Sequence, residues 1–547
     1  MAGRLPFDLI VPVTQVEPMH RMRRSLLLLA FIAAPLAAQT RPETRSEASV
    51  LAAAATISEA DYYRRILVLA DDSMGGRGTP SRGLETAAAY IASEFRRFGL
   101  RPGGDSGTFF QRYRIERAAP DSTSYAMVVG GGIHSHWMAG VDMIQVNGPA
   151  DGRPISGPVV LMIGLPTDSA RPFGDVPLNG AIVVQVVGWQ AWVRSGPDQL
   201  LARAAAAGAK GWILVPDMSA AAIGQFFRSR MRPPLRVASG GDQNALPAVV
   251  LRDSAAVALL QAAGAPLASQ RTPGTAFSVR PLPGFTATME LRRTLLEATS
   301  APNVIGVLEG SDPQLRSEYV FFTSHMDAVG VPGVGLDCRG AGADSICNGA
   351  DDDASGTSGI LELAEAYATL NPRPRRSLVF MTVSGEERGL WGSDYYAEHP
   401  TLPLANTVAD LNIDMIGRYY NNQPGWRDTI VVIGKEHSSL GAVANAVTQW
   451  HPELHMRLID DLWPQERFYY RSDHYNFARK GVPILFFFNG VHPDYHRVSD
   501  SPDRIDAEKA ARIVNMVFYI GLDVANATER PQWNPESRRR IVEAGAP

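Results

Sequence analysis

Residues 318–327 read EYVFFTSHMD: an apolar run from Tyr319 to Phe322 leads directly into His325 and Asp327. A short continuous apolar stretch fits a strand buried on both faces of a sheet, so its polar end marks one edge of that sheet. The text then alternates. A helical stretch SGTSGILELAEAYATL (355–370) is followed by SLVFMTVSG (377–385), ADLNIDMIG (409–417), DTIVVIG (428–434), GVPILFFFNG (481–490) and a last helix AEKAARIVNMVFYIGL (507–522). This rhythm predicts an α/β fold over 286–530, a doubly wound mixed sheet flanked by helices. Such sheets take their ligands beyond the carboxyl ends of the strands.

Those ends are chemically uniform. The first strand ends in His325-Met326-Asp327, the second in Ser384-Gly385-Glu386-Glu387, the third in Asp414, and the fifth leads to His492-Pro493-Asp494-Tyr495-His496. GADDDASG (349–356) precedes the first helix with three adjacent carboxylates, Asp351, Asp352 and Asp353, which repel one another unless cations neutralise them. Taken singly, an HxD or an EE pair is common. Five segments that all offer carboxylates or imidazoles suit a first-row metal held by nitrogen and oxygen. The small residues around the run allow a tight turn, and Ser355 is the expected N-cap of the helix.

Outward from this core, residues 58–98 read as helices, and 109–130 and 140–165 as short β-rich runs. From about 180, NGAIVVQVVGW, DQLLARAAAAGA, KGWILVPD and ALPAVVLRDSAAVALLQAAG alternate strand and helix again. At the start, MHRMRRSLLLLAFIAAPLAAQT (19–40) combines basic residues, an apolar run too short to span a bilayer and small residues at Ala37 and Ala38. It has the layout of a secretory leader cleaved near Ala38, with Met19 and Met22 as candidate start sites. The expected location is periplasmic or extracellular, with no membrane span after cleavage. In an exported chain, Cys338 and Cys347, nine positions apart, are expected to form a disulfide. The 52 basic and 56 acidic residues of the 547 are spread evenly, which leaves no basic face for nucleic acid.

HMD, GADDDASGTSG, SGEERGLWGS, LNIDMIG and SDHYNF…GVP…HPDYH together resemble the co-catalytic zinc aminopeptidases and their glutamate carboxypeptidase and glutaminyl cyclase relatives. The stretch from 126 to 285 resembles a protease-associated domain, a small α/β insert found in exported peptidases. The resemblance implies a zinc exopeptidase fold: a leader (1–38), an N-terminal part of the peptidase domain (39–125), the insert (126–285), the catalytic domain (286–530) and a tail (531–547).

Carried over, the resemblance makes His325 and Asp414 ligands of one Zn²⁺, Glu387 and His496 ligands of a second, and Asp352 the bridge between them. Cobalt could replace zinc. Asp327 would orient His325, and Glu386 would be the general base. Two divalent ions roughly 3.5–4 Å apart need a shared oxygen ligand, and a base that also bound metal would lose basicity, so two adjacent glutamates divide the work. Tyr495 is a candidate for the developing oxyanion. Met415, with Trp391 and Phe488, is a candidate lining for an apolar substrate pocket. His474 and Asp473 are read as supports of the site.

The implied activity is release of N-terminal residues from peptides with a free amine. A carboxypeptidase or glutaminyl cyclase on the same fold is the alternative; a carboxypeptidase needs a cationic clamp, for which Arg418 and Arg471 are candidates. A non-catalytic binding ectodomain is a third reading, against which the intact ligand set argues. No GxSxG elbow points to a serine hydrolase.

Overall fold

The computed structural model describes residues 47–168, 170–238, 245–270, 276–332, 338–340 and 343–544. The expected leader and its cleavage site lie outside the described residues. No helix among the described residues is long and apolar enough to cross a membrane.

The main sheet contains β1 (Phe110–Pro120), β2 (Arg236–Val237), β3 (Arg293–Leu308), β4 (Tyr319–His325), β5 (Ser377–Val383), β6 (Thr407–Ile413), β7 (Thr429–Ile433), β8 (Arg457–Ile459) and β9 (Ile484–Phe488). Their spatial order is β8-β7-β9-β6-β4-β5-β3-β1-β2, with Arg101–Pro102 paired to β3 as a tenth strand. The four central strands β9, β6, β4 and β5 are mutually parallel, so their carboxyl ends share one edge. From β4 the chain crosses to β5 on one side, then returns past β4 to β6 on the other. That reversal opens the crevice in which such sheets hold ligands.

Helices α1 (Glu59–Leu69), α2 (Arg82–Arg97), α3 (Ala354–Thr369), α4 (Trp391–Glu398) and α5 (Ala507–Asn526) flank this sheet. Strand alternation sends Phe322 and Phe380 into a core shared with Ile66, Phe95, Ile360 and Val514 of α1, α2, α3 and α5. It sends Phe321 and Met381 to the opposite face, against Tyr396 of α4 and Phe477. Both faces of the central strands are therefore dry, which is why their sequences are continuously apolar. The cap of α3 differs from expectation. Asp353, not Ser355, is its N-cap and accepts from Gly356 N at 2.7 Å, while Ser355 Oγ donates to Asp351 O at 2.7 Å.

One buried ion cluster ties the N-terminal helices to this core. Arg65 is fully buried and bonds Glu362 of α3 at 2.5 Å, Glu94 of α2 at 2.6 Å, and Glu365. Removing one partner of a buried pair leaves an uncompensated charge, so Arg65→Ala is expected to cost about 3–5 kcal/mol in denaturant unfolding. A loss below about 1 kcal/mol, the range of exposed pairs, would contradict this account of the cluster.

The chain leaves the main sheet along β1 and returns along β3, which pair antiparallel from Phe110↔Val304 to Pro120↔Arg293. Between them, residues 125–290 build a second, eight-stranded mixed sheet. It has a separate core on each face, with Ile213 on one and Trp212 on the other. Within this excursion, Arg236–Val237 turns back to pair with β1 of the main sheet.

Candidate metal centre

Five segments converge beyond the carboxyl ends of β4, β5, β6 and β9 and at the start of α3. Their donors fall into two groups, His325–Asp352–Asp414 and Asp352–Glu387–His496, each with donor atoms within 4.8 Å of one another. Asp352 belongs to both: Oδ1 lies 3.3 Å from His325 Nε2, and Oδ2 lies 3.3 Å from His496 Nε2. His325 Nε2 is 3.6 Å from Asp414 Oδ1, and His496 Nε2 is 3.0 Å from Glu387 Oε2.

The donor set fits divalent cations. His325 Nε2, Asp414 Oδ1 and His496 Nε2, which face other donors of the cluster, are buried without a hydrogen-bond partner, and so is Glu387 Oε1. Buried polar atoms are rarely left so, because each orphan costs about 1–3 kcal/mol. The electrostatics agree. Burial opposes the charged form of His325, yet Asp414, Asp327 and Asp352 outweigh it and raise its pKa well above the usual value. Burial opposes the charge on His496 too, but Asp352 and Glu387 push it up to about 10. Glu387 is raised to about 7 by burial and by Asp352, and Glu386 is raised well above the usual range by burial and by Glu387. Such strong demand for positive charge among carboxylates and imidazoles is what a bound divalent metal satisfies.

The sequence places these groups by tight backbone turns. Gly349 has φ of 55°, and a Cβ there would stand 2.2 Å from Asp352 O. The three aspartates do different work. Asp351 accepts from Gly417 N at 2.6 Å and faces His492 Nε2 at 3.1 Å. Asp353 accepts from Gly356 N, from Met415 N at 3.2 Å and from His325 N at 3.3 Å, so it fastens two of the donor-bearing strands to α3. Asp352 alone has both oxygens free for the centre. Met415 and His496 adopt left-handed backbone, at φ of 53° and 58°.

Residues 303–521, which span all of these donors, match Peptidase family M28. That stretch is therefore similar to the peptidases of family M28. Aminopeptidase NAALADL1 of Mus musculus is 33% identical over 125 residues, 22% of this chain and 14% of the relative. Leupeptin-inactivating enzyme 1 of Streptomyces exfoliatus is 26% identical over 223 residues, 40% of this chain and 41% of the relative. The chain thus spans less than half the length of these two relatives. Among solved structures, the aminopeptidase from Aneurinibacillus sp. strain AM-1 overlaps 88% of this chain and 97% of its own, at 20% identity and a TM-score of 0.45.

Within the matched residues, Asp327 Oδ1 lies 3.6 Å from His325 Nδ1 and accepts from Glu386 N at 3.3 Å. Glu386 belongs to neither donor group; with Asp352 and Asp414 it lines a cavity of about 40 Å³ whose wall includes Met415, Phe488 and Tyr495. The Tyr495 ring stacks on His496 with centroids 3.7 Å apart. Trp391, expected beside Met415, does not line this cavity and packs instead against the core beneath α1 and α2. Of the two arginines, Arg471 lines the cavity, whereas Arg418 is tied to Asp494 at 3.0 Å. Cys338 and Cys347 are bonded to each other, with Cα atoms 5.8 Å apart and Cys347 Sγ 3.8 Å from His496 O.

Asp473 accepts from Ser393 Oγ at 2.5 Å, and His474 is buried, 2.8 Å from Tyr469 O and stacked on Phe486. Burial drives the His474 pKa down to about 3, so it stays neutral. Three contributors support the centre from outside the donor groups, and of these only His492 stood out in the sequence, as one of the strand-end imidazoles. Ser472 donates to Asp414 Oδ2 at 2.9 Å, Asp500 accepts from Asp351 N at 3.0 Å and Asp352 N at 3.1 Å, and His492 faces Asp351. They act on ligands and backbone contributed by other strands, which one-dimensional spacing does not reveal.

Proposed function

We propose that the chain is an exported two-zinc aminopeptidase that releases N-terminal residues from peptides. The observation that carries this reading is Asp352, whose two oxygens face the two donor groups separately. His325 and Asp414 would hold one Zn²⁺, Glu387 and His496 the other, and Asp352 both; cobalt suits the same ligands. Zinc held there supplies Lewis acidity to a water molecule and to the scissile carbonyl.

The chain's own groups do the rest. Asp327 orients His325 and, through the Glu386 N–H, steadies the loop that carries the base. Glu386 takes the proton of the attacking water and returns it to the leaving amine. Tyr495, which lines the cavity, would donate to the developing oxyanion. Met415 and Phe488 offer an apolar surface to the substrate's first side chain, and the surplus of carboxylates suits a free α-amine. Residues 39–125 and 286–530 form the peptidase domain on this reading, 126–285 a protease-associated insert, and 1–38 a leader removed near Ala38. Arg471 on the cavity wall is the feature that favours a carboxypeptidase instead.

Purified protein assayed on aminoacyl-p-nitroanilides and on N-blocked peptides separates these readings. Hydrolysis of the former, abolished by chelation and restored by zinc, is expected. Equal cleavage of blocked peptides would refute the aminopeptidase assignment, and activity indifferent to chelator would refute the metal mechanism. A tightly bound metal also stabilises the fold by mass action, about 4 kcal/mol at a thousandfold excess over Kd, so chelation should lower Tm.

A further inference from the structure

Outside residues 303–521, the segment GGRGT (75–79) between α1 and α2 reaches the metal centre through Arg77 and Thr79. Arg77 is fully buried, yet no carboxylate among the described residues pairs with it. All its contacts are backbone carbonyls: Nε donates to Met326 O at 2.8 Å, Nη1 to Asn348 O at 2.7 Å and to Leu69 O, and Nη2 to Gly349 O at 2.8 Å. Met326 stands between His325 and Asp327, and Asn348 and Gly349 open the turn into the aspartate run. One rigid fork therefore joins the loop of His325 to the loop of Asp352.

Thr79 makes the matching link to the third loop. Its hydroxyl donates to Asp327 Oδ2 at 2.9 Å and accepts from Gly385 N at 3.1 Å, one residue before Glu386. Thr79 O accepts from Arg388 Nε at 3.0 Å, on the far side of Glu387. The segment is seated closely. Gly76 has φ of 64°, and a Cβ there would come within 2.5 Å of Cys347 O and 2.8 Å of Gly330 O.

Burying a guanidinium without an ion pair is costly unless its surroundings repay it. Here burial is the larger effect and lowers the Arg77 pKa, while the carbonyls satisfy its donors and Asp327, Asp353, Asp500 and Asp352 offset part of the cost from a distance. Arg presents five donors in a fixed plane, which a lysine ammonium cannot reproduce. We propose that Arg77 is a positioning residue of the metal centre, holding the His325 and Asp352 loops at the separation two bridged ions require, with Thr79 holding the Glu386 loop to the same frame. This rests on the two-zinc reading above.

The test uses the full chain with Arg77→Lys, Thr79→Val and Thr79→Ser, measuring zinc affinity by calorimetry, kcat and KM separately, and folding by circular dichroism. Groups that orient metal ligands typically contribute 10–100-fold, so R77K is expected to lose roughly that much zinc affinity and kcat, with KM within about twofold. T79V should move the same way, and T79S should restore wild-type values. A folded R77K that takes up two zinc ions with wild-type affinity and kcat, even at a lowered Tm, overturns the proposal. If R77K does not fold, T79V decides, and wild-type zinc affinity and kcat in that variant overturn it. Wild-type protein that takes up no zinc overturns the two-zinc reading itself, a distinguishable result.

Discussion

Glu386→Gln is expected to lower kcat by about 10²–10⁴-fold, the span that positioned proton transfer contributes, with zinc content and KM near wild type. Glutamine keeps the shape and the backbone N–H bond to Asp327 Oδ1 but cannot take a proton from water or return one to the leaving amine. The neighbouring Glu387 cannot substitute, because its Oε2 is directed at His496 Nε2, 3.0 Å away. Steady-state kinetics on an aminoacyl-p-nitroanilide, with zinc measured on the same sample, checks this. Wild-type turnover at full zinc content would mean that another group moves the proton.

Asp352→Asn is expected to do more damage, because it strikes the residue common to both donor groups. An amide has one acceptor and one donor end, so it can face His325 or His496 as a ligand but not both. Zinc content should fall from two ions per chain to one or fewer. Losing several kcal/mol of metal-borne transition-state stabilisation lowers kcat/KM by about 10³-fold or more. Two tightly held ions in the variant would remove Asp352 from the bridge. The flanking aspartates should behave differently. Asp351 and Asp353, expected from their neighbourhood to tolerate an amide better, each use both oxygens on backbone N–H groups or His492. Their amide variants turn one N–H toward another, so the cost, about 1–3 kcal/mol, falls on stability.

Much of the fold and centre was legible because parallel strands keep ligand and scaffold together in sequence. EYVFFTSHMD and SLVFMTVSGEE each write a buried strand and the group at its carboxyl end within one short stretch, and the donors of four strand ends and the α3 turn meet in the structure. Ser355 was misread because the helix begins earlier than its text suggests, at Ala354, which puts Ser355 inside the first turn and leaves the cap to Asp353. Asp353 accepts from Gly356 N, and the Ser355 hydroxyl turns to Asp351 O and Ile416 N instead. Trp391 was misplaced because an aromatic beside a site in sequence need not face it in space.

By itself, then, the sequence determined the strand and helix rhythm and the run of carboxylates and imidazoles at the strand ends, while only the resemblance singled out Asp352 among its neighbours. Tertiary structure alone decided what holds those ends in register: Arg77 on the carbonyls of Met326, Asn348 and Gly349, Thr79 between Asp327 and Gly385, Ser472 on Asp414, and Asp500 beneath the aspartate run. Arg77 and Asp500 spend their contacts here on backbone groups, which every residue carries. A bond to a carbonyl hundreds of positions away leaves no periodicity or motif at either end, so it becomes visible only once the chain has folded.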